Sequence, residues 1–173
     1  MKKDEIIREL HKHYLDFSQF VQSIPPEKVS THSNNKWSAA EQLDHIIKSV
    51  APVKLAFSLP HFLLKIAFGK ANRPSKNYEQ LVAKYQGKLA EGGKAPKRYI
   101  PEKKRNVSSE ASKLDAIVEA LCKKVEGFSE NELDLLLLPH PLMGKLTLRE
   151  MLYFTIYHVQ HHHIQVKNNL SLK

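Results

Sequence analysis

Apolar residues recur at the 3.6-residue helical period in four long segments, and this constrains the fold more than any other feature of the chain. The first segment, about Asp4 to Ser23, carries Ile6, Ile7, Leu10, Tyr14, Phe17 and Val21 and is stopped by Pro25-Pro26. The second opens at Trp37-Ser38, where Ser38 and Glu41 have the spacing of a capping box. It runs at least to Val50, and Pro52 is expected to kink or end it. A third starts near Ser108 or Ser109, carries Leu114, Ile117, Val118, Leu121, Cys122 and Val125, and ends at Gly127. The last starts at Thr147, with Glu150 as its box partner, and continues to about Asn169.

Shorter pieces join them. An apolar turn is expected around Phe57 to Phe68, a helical stretch around Tyr78 to Ala90, and a short helix from the Ser129–Glu132 box through Leu138. Pro139 and Pro141 then require an extended connection. With six glycines and no alternating Val/Ile/Thr-rich run, the chain is not expected to build a sheet. The fold class is therefore all-α: an up-and-down four-helix bundle with short extra helices in its connections, residues 1–173 forming one domain.

Composition narrows the setting. At 42% hydrophobic and 26% charged, the chain is in the globular range. The single cysteine, Cys122, excludes an internal disulfide framework, favours a reducing compartment, and reads as a small core residue on its helix stripe. The charged start lacks the apolar core of a signal peptide, and Val50 to Phe68 is too interrupted to span a bilayer, so a cytoplasmic protein without membrane attachment is expected. The net charge of +9 is concentrated in KAPKRYIPEKKR, Lys94 to Arg105, which reads first as a solvated connector and second as an attractor of anionic ligands. Without a recognition motif, specific nucleic-acid binding is not expected. Trp37, Phe17, Phe154 and Tyr157 read as packing residues.

The chemistry is concentrated in histidine, of which there are ten, four of them in YHVQHHHIQ. His158 and His162 are four residues apart on one helix, so both imidazoles leave the same face and can reach a common ion. A satisfied or exposed pair accounts for the spacing equally well. His161 and His163 leave other faces of the helix. A third ligand has to come from another helix, and His45 is the best candidate, although its own face (Ser38, Gln42, Ser49) reads as boundary or surface. Glu41 is the one acid near enough to be a general base, with capping as its first role, and Gln165 could orient water or substrate.

Two stretches, WSAAEQLDHI from Trp37 to Ile46 and HPLMGKLTLREMLYFTIYHVQHHHIQV from His140 to Val166, resemble the DinB-like superfamily of four-helix metal-binding bundles, which includes bacillithiol transferases. The likeness lies in the Trp-Ser start with Glu and the second-helix His, then in loop His-Pro, Gly, Leu-Thr and a helix with His-x-x-x-His. It implies a metal triad of His45, His158 and His162. His161 stands where many relatives have Arg and His163 where they have an aliphatic residue, so a competing ligand or a one-residue shift stays open.

Three neutral imidazoles would leave one divalent metal ion with open positions, as in catalytic zinc sites; zinc is expected first, with nickel or iron as alternatives. The resemblance implies transfer of a small-molecule thiol to an electrophile, with metal-dependent hydrolysis as the alternative. A non-catalytic metal carrier and a basic nucleic-acid-binding module are readings from other classes. A homodimer is compatible with the sequence.

Overall fold

A computed structural model describes residues 1–32, 36–102 and 106–171 of the chain. Lys103, Lys104 and Arg105, the end of the basic run, lie outside the described residues. The elements are α1 (Lys3–Ser23), α2 (Pro26–Val29), α3 (Ala39–Phe57), α4 (His61–Phe68), α5 (Tyr78–Ala90), a 3₁₀ turn (Lys97–Tyr99), α6 (Val107–Glu126), α7 (Glu130–Leu135), β1 (Leu137–His140), β2 (Gly144–Thr147) and α8 (Leu148–Ser171).

The four long helices α1, α3, α6 and α8 form the expected all-α bundle. α6 packs against both α1 and α3, and α8 against the same two from the other side. α1 and α3, successive long helices in the chain, therefore lie mainly across a diagonal. The stripe of α1 that meets the others is Ile6, Leu10, Tyr14, Phe17 and Val21, and α6 supplies Leu114, Val118, Leu121 and Val125, all buried. Buried this way, each such side chain contributes roughly 1.5–3 kcal/mol, which is why these two helices need little from their caps.

The expected capping boxes form. Ser38 and Glu41 bond reciprocally at the start of α3, and Ser129 and Glu132 do so at α7. At α8 the Thr147 N–H donates to Glu150 Oε2 at 3.0 Å and the Glu150 N–H to Thr147 Oγ1 at 3.1 Å. Glu150 also accepts a two-pronged bond from Arg73, at 2.6 and 2.8 Å, and the Lys76 N–H at 2.8 Å, tying the segment before α5 to the first turn of α8.

Several local expectations are corrected. Of the two outcomes expected at Pro52, a kink or an end, the end does not occur: α3 continues to Phe57. α6 begins at Val107, because Asn106 rather than a serine accepts the first-turn N–H, from Ser109. The apolar turn after Phe57 is largely a helix, α4. α7 stops at Leu135, and the residues beyond it enter a small antiparallel hairpin that the paucity of glycine and β-branched runs does not signal. Its register pairs Leu138 with Leu146 and His140 with Gly144. Leu138 and Leu146 point inward, and Gly144, at φ +74°, takes the left-handed conformation where the chain leaves the three-residue loop and enters β2. Among the described residues no single helix is long and apolar enough to cross a membrane.

Candidate metal centre

His45 lies two turns inside α3, and the Ser38–Glu41 box that sets the start of the helix also sets the angle at which His45 leaves it. His158 and His162 leave successive turns of α8 toward α3. The three imidazoles meet between these helices. Nε2 of His158 is 3.2 Å from Nε2 of His45 and 3.1 Å from Nε2 of His162. Three nitrogens bound to a tetrahedral ion at roughly 2.0–2.1 Å would stand about 3.3 Å apart, so both spacings suit ligands that share one ion and leave its fourth position open.

The outer nitrogens explain why Nε2 faces inward. His45 Nδ1 donates to the Tyr99 carbonyl at 2.7 Å, and His162 Nδ1 donates to the Gln42 amide oxygen. A ring whose Nδ1 carries the proton presents the Nε2 lone pair, the form a metal takes, and an outer partner of this kind is what orients metal-bound histidines. All three side chains are buried. Burial pushes each below the ordinary histidine range; for His158 and His162 the neighbouring histidines add to it, and for His45 the Tyr99 bond partly opposes it. Neutral imidazoles with converging lone pairs fit a divalent cation, and a buried group of three such nitrogens could hold one.

Aromatic rings wall the cluster. Trp37 lies 4.9 Å from the His45 ring and nearly parallel to His162 at 6.4 Å, and Phe154 stacks on His158 at 4.8 Å. On the side of His45 and His158 a cleft of about 250 Å³ opens, with an apolar wall that includes Val53, Phe68, Leu89, Leu142 and Met151. Arg98, whose guanidinium sits over the Tyr99 ring at 4.7 Å, and His140 add polar groups to that wall.

The structure sorts the sequence candidates. His45, read from its own face as boundary or surface, is buried, because α3 is covered by α6, α8 and the Tyr99 turn at once. His161 does not join the cluster; its Nε2 accepts from Gln165 at 2.7 Å, which also gives Gln165 its partner. His163 faces α1, packed on Phe20 at 4.7 Å and Phe17 at 5.8 Å. Glu41 is held by its box and lies 3.3 Å from His32, away from the cleft wall. Gln42 and Tyr99 are the members that sequence reading missed. Gln42 carries a signal, standing three residues before His45 on one helix face, whereas a backbone carbonyl in a basic connector carries none.

The family model of the DinB superfamily matches residues 9–166. The chain belongs to the DinB superfamily. No curated protein and no solved structure matches it. The matched span holds both halves of the cluster, so this DinB-superfamily chain keeps His45, His158 and His162 inside the region that defines the family.

Proposed function

We propose that His45, His158 and His162 hold one divalent metal ion, zinc first and nickel or iron as alternatives, and that the protein is a thiol S-transferase acting on small electrophiles. The observation that carries the reading is the convergence of three neutral Nε2 atoms at the edge of an apolar cleft. With three uncharged protein ligands, a bound divalent ion keeps its charge and an open position, and it supplies a lowered pKa to a thiol or water that reaches it.

The residues of the chain do the rest. Trp37, Phe154 and the helix packing keep the imidazoles in place, while Tyr99 fixes the tautomer of His45 and Gln42 that of His162. The apolar wall accommodates the body of an electrophile and excludes water. No Asp or Glu is among the described residues lining the cleft, so hydrolysis would lack a carboxylate base for its water, whereas a thiol brings its own nucleophile. In the overall reaction the thiol proton passes to solvent, a carbon–sulfur bond forms, and the leaving group departs with its bonding electrons. The lone buried cysteine suits a reducing, cytoplasmic setting.

The test is a screen of zinc-loaded protein with low-molecular-weight thiols and 1-chloro-2,4-dinitrobenzene. Zinc-dependent formation of a thioether with release of chloride is expected. Ester or amide hydrolysis without any thiol conjugation would overturn the transferase reading in favour of the hydrolase.

A further inference from the structure

The loop His-Pro of the sequence motif has no part in the histidine cluster, yet its histidine is the best-defined polar group on the cleft wall. His140 ends β1 and is buried. Its Nδ1 accepts two backbone N–H groups of the hairpin loop, from Leu142 at 3.1 Å and Met143 at 3.2 Å. An atom that accepts two donors must carry the lone pair, so the ring proton sits on Nε2. The ring lines the cleft, and its Nε2 is neither sealed in the interior nor bonded to another of the described residues. Phe154 packs edge-on to His140 at 4.3 Å and stacks on His158 at 4.8 Å, placing the free N–H one ring away from the cluster.

We infer that His140 is a ligand-binding residue, whose Nε2–H donates a hydrogen bond to the oxygen of an uncharged, largely apolar carbonyl compound seated in the cleft. An uncharged acceptor is favoured because the donor is itself neutral and the surrounding wall is apolar. In the metal-free cleft a carboxylate there would lose its hydration for a single neutral hydrogen bond. Arg98, the one ionised side chain among the described residues on that wall, is exposed. The hairpin thus acts as a rigid mount: the same two backbone bonds that shape its loop hold the imidazole in the donor tautomer. The inference rests on the cleft being the substrate site, and it names the electrophile class as carbonyl-bearing.

The test compares 1-acetylnaphthalene with 1-ethylnaphthalene, which has the same ring but no oxygen, by NMR titration of zinc-loaded and metal-free protein. In wild type the ketone is expected to bind about tenfold tighter than the hydrocarbon, the worth of one well-made hydrogen bond in an apolar site. The ¹⁵N spectrum should show His140 as the Nε2–H tautomer, with that resonance shifting on ketone addition. His140→Phe should abolish the preference, and His140→Gln, which keeps an acceptor for the loop and a donor for the ligand, should restore part of it. Equal binding of the two probes to wild type, an Nδ1–H tautomer, or an unshifted His140 resonance would each overturn the inference, and none of the three needs a variant. The metal-free arm separates the two readings, since a failure of zinc binding leaves the ketone preference intact.

Discussion

Nδ1 of His162 on α8 donates to the amide oxygen of Gln42 on α3, so the helix that carries His45 also fixes the tautomer of a ligand on the facing helix. Replacing Gln42 by Leu keeps the volume and removes the acceptor. A loss of about 10–100-fold in zinc affinity is expected, with Gln42→Glu retaining most of it, since a carboxylate accepts the same proton. Competition with a chromophoric chelator reads this directly, and unchanged affinity in Gln42→Leu would show that the contact does not tune the site.

The Glu150 carboxylate is fully buried and gathers Arg73, the Lys76 N–H and the Thr147 N–H. Burial alone would raise its pKa, but the Arg73 fork and the two backbone donors outweigh it and hold the group below the usual carboxylate range. Glu150→Ala leaves these donors unanswered at the mouth of α8 and should cost about 3 kcal/mol, read as a lower urea midpoint with an unchanged slope.

His140 also makes a prediction about acid. Burial, with Lys84 adding to it, takes its pKa down from 6.5 to about 4. Between those values the unfolded chain binds a proton that the folded chain refuses, so the contribution is complete above pH 6.5 and is lost as the pH falls toward 4. The melting temperature of wild type should fall more steeply across that window than that of His140→Gln. Superimposable slopes would contradict this.

Cys122 is buried on α6, and burial pushes its thiol up to about 12, with Glu119 and Glu126 adding to the shift. Ellman's reagent should therefore modify native protein only at the rate of unfolding, and stoichiometrically in denaturant. Fast labelling of the native chain would show an accessible thiol.

How legible the molecule is from its sequence depends on how each element is buried. α1 and α6 each bury one stripe, and their periodicity reads correctly down to Ile6, Val21 and Val125. α3 is buried almost all round between Ala39 and Ile47, so its most apolar stripe says little about where His45 points. The i, i+4 spacing locates His158 and His162 because both ligands lie on one helix. The third ligand depends on packing between helices, which no local pattern encodes, and family resemblance supplied it. The hairpin escapes for a different reason. Its strands are four residues long, two prolines fall among the residues from Leu137 to Pro141, and tertiary burial of Leu138 and Leu146 sets its register.

The central claim is that one ion is held jointly by α3 and α8, and His45 is the residue on which it turns. Protein isolated without a nickel column and reconstituted with zinc should carry one ion per chain by elemental analysis, and His45→Ala, with its helical spectrum intact, should carry almost none after dialysis. A His45→Ala protein that keeps a full equivalent of tightly bound zinc would contradict the account.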